Sequence, residues 1–472
     1  MNPTRRHLPA LAALTLLILA AGCSDRDPTE LPVARANGDP VVFDDAYSPD
    51  VYFQAFFETN SQAVAMDSVY AYDGYAPDGS RSLKVTIAPA GSALGPYSGG
   101  VLTSSGMRDL TGYNALTFYA RTDVDAVSFD LLGFGNDNTG TSLYGVARER
   151  VGLTRDWSLV IIPIPNPAKI VAERGLFTFA ESLEANPDGS FVYPDGYHIW
   201  LDEIKYARLG NITIFRASMP SVTRQYFVGS KVTLQGTSTV FRVDGAPIPV
   251  GHSPSYFDYA SSDPAVASVV RGEIVIQGVG AATITAKLDT LPVIGRVSLN
   301  GYLPPTEAAV PPTLPAQDVI SMFSDVYADV PVDTWNPHWG GSTTQDEIYV
   351  IDGDNTRMYS ALNWVGILFQ NPTVDATAMT HLHLDVYAPA GTNFGVKLGC
   401  YPSGGSTLAE TTDLVLTAST TPAFTSGGWS SLDIPLASFA LPATWDWGYI
   451  SEIVLSTSDA QLVLIDNLYW HR

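Results

Sequence analysis

Four strand-like strings occur twice in this chain, in one order and at nearly one spacing. Val41-Val-Phe-Asp-Asp-Ala-Tyr47 is answered by Ile320-Ser-Met-Phe-Ser-Asp-Val-Tyr327, and Tyr113-Asn-Ala-Leu-Thr-Phe-Tyr-Ala120 by Met379-Thr-His-Leu-His-Leu-Asp-Val386. Trp157-Ser-Leu-Val-Ile-Ile-Pro-Ile164 parallels Trp429-Ser-Ser-Leu-Asp-Ile-Pro-Leu436, and Trp200-Leu-Asp-Glu-Ile-Lys-Tyr206 parallels Leu464-Ile-Asp-Asn-Leu-Tyr-Trp470. From Leu116 to Asp202 is 86 positions, and from Leu382 to Asp466 is 84. A divergent repeat of this kind predicts two copies of one fold, near residues 40–216 and 316–472.

Strand signals dominate everything after residue 40, as in Val127-Ser-Phe-Asp-Leu131 and Val232-Thr-Leu234. They are separated by Asn, Asp, Gly and Pro clusters at the spacing of a β-sandwich. The 33 Pro and 40 Gly punctuate the chain with turns. No long segment has a 3.6-residue period; only Leu176 to Ala185 suggests a helical turn or two. The fold class is therefore all-β. Asp plus Glu number 48 against 25 Lys plus Arg, a net charge of −23. A field of that sign repels phosphate backbones, which excludes nucleic acid as a partner and leaves neutral ligands.

The repeated strings resemble jelly-roll carbohydrate-binding modules of the galactose-binding-like type, which carry a W-x-x-[VI]-x-[IV]-P-[LI] strand and close on an [IL]-D-[NE]-[IL] strand. The C-terminal copy looks like the modules attached to family-sixteen glycoside hydrolases. Between the copies, Tyr259-Ala-Ser-Ser-Asp-Pro-Ala-Val-Ala-Ser-Val269, Gly272 to Gly280 and Ala282-Thr-Ile-Thr-Ala286 resemble the bacterial Ig-like domain of type 2, usually a spacer. The implied architecture is two jelly-roll β-sandwiches separated by an Ig-like β-sandwich. The segments are a signal peptide over 1–22, a tether over 23–39, jelly-roll modules over 40–219 and 317–472, an Ig-like domain over 220–303 and a linker over 304–316. Residues 303–315 hold five prolines, which predicts an extended, semi-rigid connection.

The N-terminus reads as an address. Arg5 and Arg6 precede an apolar run from Leu8 to Ala21 that is short for a membrane span. Leu19-Ala20-Ala21-Gly22-Cys23 resembles a bacterial lipobox, with Ala20 where Leu is most frequent. The resemblance implies cleavage before Cys23, lipid on that residue, and a membrane partner through this anchor. The expected location is the cell envelope, at the outer membrane and surface-exposed. Cys400 then has no cysteine partner and is expected to be a buried, inert thiol.

Catalytic motifs are scarce. There is no E-x-D-x-x-E strand, no G-x-S-x-G elbow, no H-E-x-x-H, no CxxC and no phosphate-binding glycine loop. His381 and His383 alternate on one strand face, which suits either a metal or plain cross-strand pairing, and no third ligand is evident. Aromatic residues carry the argument instead, because sugars stack their C–H faces on flat rings. Seven of nine Trp lie in the C-terminal copy. Trp157, Trp200, Trp429 and Trp470 sit in regular strands and read as core. Trp335, Asn336, Trp339, Tyr359, Trp364, Trp445 and Trp447 lie in or near turns and are candidate sugar contacts, with an aromatic core as their alternative role. In the N-terminal copy Tyr70, Tyr72, Tyr75 and Tyr97 are weaker candidates. The resemblance also implies a structural Ca²⁺ in each jelly roll, held by Asp44 or Asp45 with Asp202 and by Asp325 with Asp466; the alternative is that each Asp caps a turn. The expected function is a non-catalytic, lipid-anchored surface protein binding a neutral polysaccharide, a β-glucan. An adhesive or structural protein is the alternative, and a glycan-active enzyme a third.

Overall fold

In strand His381–Ala388, the side chains of Leu382, Leu384, Val386 and Ala388 are fully buried while His381, His383 and Tyr387 are not. That two-residue period recurs through the chain and makes it an assembly of half-buried sheets. The computed structural model describes residues 37–57, 63–68, 81–95 and 97–472; Cys23, the signal segment, most of the tether, and Tyr70, Tyr72 and Tyr75 lie outside them. Among the described residues the only helical elements are short 3-10 turns.

The two copies share one topology. In the N-terminal sandwich, strand Tyr197–Ala207 has Ala115–Thr122 along one edge and Ser82–Ile87 followed by Val41–Asp44 along the other. In the C-terminal sandwich, Leu462–His471 has His381–Ala388 along one edge and Asp354–Ser360 followed by Val319–Phe323 along the other. The facing sheets match too: Glu173–Ser182 lies between Tyr97–Arg108 and Ala126–Phe134, and Ile450–Ser456 between Trp364–Leu368 and Asn393–Cys400. Even an irregularity is repeated. Both central strands bulge just after their Asp, where Glu203 and Asn467 adopt φ of 47° and 48°. These are the two jelly-roll sandwiches. The stretch from Leu176, expected to turn helically, is instead strand Glu173–Ser182, because Phe177 and Phe179 alternate into the core.

The middle sandwich is fused to the first. Strand Ile212–Phe227 pairs antiparallel with Ser238–Val243 over its first half and parallel with Ile294–Tyr302 over its second, so the expected boundary at 219/220 falls inside one strand. The hairpin Ser238–His252 reaches back and pairs Gly251 with Ala147 and His252 with Val146, joining the two modules into a single 12-stranded sheet. Phe241, Val250 and the fully buried Tyr256 belong to the first sandwich's core. What remains is a small core of its own around Ile274, Ile284, Val297 and Leu299.

At the other end Phe227 packs with Met358, Leu462, Leu464 and Tyr349 on the outer face of the C-terminal sandwich. The proline-rich connection follows over the same face: Trp429 donates to the Glu307 carbonyl at 2.9 Å, Tyr327 to the Leu314 carbonyl at 2.9 Å, and Ala309 is buried. One side of the C-terminal sandwich is thus covered. Phe227→Ala should cost about 3 kcal/mol and split the calorimetric unfolding into two transitions, with the C-terminal sandwich melting alone. A single unsplit transition in that variant would show that Phe227 does not hold the joint.

Candidate functional site

The open side of the C-terminal sandwich is the sheet Trp364–Leu368, Ile450–Ser456, Asn393–Cys400 and the short strands beyond. Val365, Ile367, Ile453, Leu455, Val396 and Leu398 point into the core, so their strand neighbours face outward. Register then fixes three rows across the face. The first is Trp364, Ser456, Gly395 and Val415; the second Gly366, Val454 and Lys397; the third Leu368, Glu452, Gly399 and Glu410.

Glycine shapes this surface. The Trp339 ring lies on Gly366, where a Cβ would overlap it, and its centroid is 5.7 Å from that of Trp364 with 30° between planes. Two indoles, each half-buried, therefore sit side by side on the face. The loop that delivers Trp339 is tied down along its length. Asn336 donates to the Thr344 carbonyl at 3.0 Å and accepts from the His338 amide, Ser342 donates to the Trp364 carbonyl at 2.7 Å, and Asn363 donates to the Gly341 carbonyl. Such anchoring lowers the entropic cost of presenting a ring to a ligand.

Two strands away lies a charged group. Lys397 pairs with Glu410, and the buried Glu452 carboxyl stands on Gly399. Burial first, and then the Glu410 charge, push Glu452 up to about 7, against the pull of Lys397. The face thus offers flat apolar rings beside the Lys397 ammonium and the Glu410 carboxyl, with Glu452 buried behind them, suited to the C–H face and the hydroxyl edge of a sugar. Glu410 and Glu452 hydrogen-bond to each other rather than standing the ~5 Å or more apart that glycosidic cleavage uses.

The other sequence candidates occupy different places. Tyr359 is fully buried and donates its hydroxyl to the Trp335 carbonyl at 3.1 Å, so it cannot touch a ligand. Asn336 is buried and shapes the loop. Trp335 is no platform, since it packs edge-on to Phe323 and carries the Arg357 guanidinium over its ring at 4.4 Å. Trp445 and Trp447 meet at 78° and pack against the core, which gives a corner, not a flat surface. Of the four tryptophans read as core, Trp470 lies in the main core and Trp157 and Trp200 are buried in a small cluster with Tyr119, while Trp429 is partly buried and serves the joint. Cys400 is buried and its thiol is raised by that burial. Lys397, Glu410 and Glu452 were missed. The one signal for them is Gly395-x-Lys397-x-Gly399, small residues flanking a charge on one strand face.

The N-terminal sandwich has a comparable face. Tyr97 covers Gly99 on the strand equivalent to Trp364–Leu368, and the exposed Phe57 meets Tyr97 edge-on at 5.7 Å.

His381 and His383 gain a third imidazole. His471 stacks on His381 at 5.0 Å and 8°, and Asp433 accepts from His471 at 2.7 Å. Parallel rings do not converge their lone pairs on one point, and among the described residues no group of three or more His, Cys, Asp or Glu is gathered for a metal.

The calcium expectation meets a suggestive pair of carboxylates. Asp202 and Asp466 are buried, each holds one oxygen on the next residue's backbone amide, and each leaves the other oxygen without a partner. Burial raises Asp202 to about 6, opposed by that amide and reinforced by Asp45, Glu203 and Asp44. Asp466 rises to about 7 through burial, reinforced by Asp354, Asp385 and Asp325. Asp354 was not foreseen; it has an unpartnered buried oxygen and hydrogen-bonds Asp325. Hard oxygens of this kind are what Ca²⁺ takes, but these carboxylates, too, are not gathered into a group of three among the described residues.

No protein family and no curated protein matches the chain. Among solved structures it is similar to the family 11 carbohydrate-binding module of the cellulase Lic26A-Cel5E of Clostridium thermocellum. That likeness has a TM-score of 0.23 at 14% identity, covering 30% of this chain and 96% of that one. It is also similar to the family 30 module of Cel9D-Cel44B of Clostridium thermocellum, with a TM-score of 0.24 at 18% identity, covering 37% and 96%. The tandem family 22 modules of Paenibacillus barcinonensis Xyn10C give a TM-score of 0.22 at 10% identity, covering 93% and 99%. Scores this low carry no argument about ligand.

Because Asp466 is raised from 3.8 to about 7, the folded state holds its proton more tightly than the unfolded chain. Its contribution is intact below about pH 4 and is lost as pH rises through about 7. In chelator, Asp466→Asn should therefore raise the melting temperature at pH 8 by a few degrees and change it little at pH 5. Scanning calorimetry at the two pH values checks this; an equal effect at both would refute the assignment.

Proposed function

We propose that this chain is a non-catalytic, lipid-anchored cell-surface protein that binds polysaccharide, with a neutral β-glucan as ligand. The observation that carries the reading is the pair of indoles, Trp339 and Trp364, held side by side over Gly366 on the side of the C-terminal sandwich opposite the one that Phe227 packs against. Lys397 and Glu410 would take the hydroxyls of a chain lying across the strands, with the buried Glu452 carboxyl behind them. Tyr97 on the equivalent strand provides a second, weaker platform, and two sites on one chain raise avidity for a repeating polymer. The Cys23 anchor and the outer-membrane location rest on the lipobox alone.

Calcium is part of the proposal. Asp325, Asp354 and Asp466 in one sandwich, and Asp44 or Asp45 with Asp202 in the other, would hold it, and its charge would offset the burial of these carboxylates.

An adhesive or structural role is the second reading, favoured by the fusion of the first two sandwiches into one sheet. Affinity electrophoresis in gels of laminarin, mixed-linkage glucan, cellulose, xylan or alginate separates the two. The β-glucan gels should retard the protein. Trp339→Ala and Trp364→Ala should each lower affinity at least tenfold without changing the fold, while Trp445→Ala should leave affinity within twofold. Free mobility in every gel, with calcium present, would move the weight to the adhesive reading.

A further inference from the structure

Gly399 brings together two carboxyl groups from the strands on either side of it. It is the cross-strand neighbour of Glu452 on one flank and of Glu410 on the other. A Cβ at Gly399 would fall 2.4 Å from the Glu452 Cγ and 2.6 Å from its Oε1. The bare glycine is therefore what lets the Glu452 side chain lie over the strand and hydrogen-bond Glu410. Lys397, two positions earlier on the same strand, pairs with Glu410 in turn. The three groups run from inside to outside: Glu452 is 3% exposed, whereas the Glu410 side chain is 41% exposed and carries the ammonium.

Two carboxylates in contact do not both stay ionised cheaply, so the pair holds a proton. Placement decides which group keeps it. Glu410 reaches water and has an ammonium on it, which favours its anion. Glu452 is buried, so its carboxyl keeps the proton and donates it to Glu410. The Lys397–Glu410–Glu452 group then carries no net charge. Burial first, and then Glu410, raise Glu452 to about 7, and Lys397 opposes them. Leu368, the neighbour of Glu452 on its other flank, is apolar, and Tyr401, the next outward position past Gly399, accepts from Gln370 at 3.5 Å. When the proton leaves, two acceptors face each other with nothing to donate between them, and one of the two charges is buried. Glu410 must then turn away, or Lys397 must come in from the surface to stand between them. Either movement unseats the exposed pair.

We propose that Glu452 is a positioning residue of the sugar site: its protonated carboxyl holds Glu410, and through it Lys397, in the arrangement that meets the hydroxyls of the polysaccharide. This rests on the sugar-binding reading of the face and adds a condition to it. Glu452 does not touch the sugar; the face takes polysaccharide with the proton on and releases it with the proton off. The linkage is reciprocal, so bound polysaccharide raises the proton affinity of Glu452.

Affinity electrophoresis of the full chain in laminarin and mixed-linkage glucan gels, at pH 5.5, 6.5, 7.5 and 8.5 with calcium held constant, tests it. The affinity of the native protein should fall roughly tenfold across that range, most steeply near neutrality. Glu452→Gln keeps a side-chain donor toward Glu410 that does not titrate, and it should hold the pH 5.5 affinity to within about twofold at every pH. Retardation of the native chain that does not change with pH would overturn the proposal and leave the sugar reading standing. So would an equal fall in Glu452→Gln, which would trace the titration to another group such as Asp466. Free mobility in both gels at every pH would remove the sugar reading, and the positioning role with it.

Discussion

A β-sheet edge is an unfinished hydrogen-bond ladder, and this chain is organised by how its edges are closed. Strand Val146–Thr154 would be the free edge of the first sandwich; the hairpin ending at His252 completes it. That pairing places Tyr256 in the first core and carries Ile212–Phe227 through to the middle sandwich. Phe227, at the end of that strand, then seats the C-terminal sandwich. Three modules that each have a core of their own are joined by that edge pairing, by Tyr256 in the first core, and by Phe227 with the Trp429–Glu307 contact at the C-terminal sandwich.

The repeat was readable in the sequence because both copies keep the same inward positions, Leu116 and Leu382 or Ile162 and Ile434, and alternation is a local property. Fusion of the first two modules was not readable. It depends on which free edge a hairpin finds, and the pattern of Ser238–His252 is the same whether it pairs within its module or beyond it. The proline-rich connection holds neither helix nor strand, and its carbonyls are acceptors for Trp429 and Tyr327, a contact that composition does not encode.

The binding face was legible in its residue types and not in its members. Trp335, Trp339 and Trp364 look alike in sequence. What distinguishes them is what lies beneath: Gly366 under Trp339, and the edge of Phe323 against Trp335. The charged group was hidden for the converse reason. Residues 317–472 carry 17 acidic residues against three basic ones, so Glu410 and Glu452 do not stand out until register sets them beside Lys397.

The parallel pairing of Ile212–Phe227 with Ile294–Tyr302 has a mechanical meaning. The first strand enters from the N-terminal sandwich and the second leaves toward the C-terminal one, both pointing the same way. Tension applied through the N-terminal and C-terminal sandwiches would pull these strands in opposite senses along their common axis. The hydrogen bonds of the ladder then bear load together, in shear, instead of parting one by one like a zip. A chain wired this way would resist pulling at the joint where a bead-on-a-string arrangement would first give.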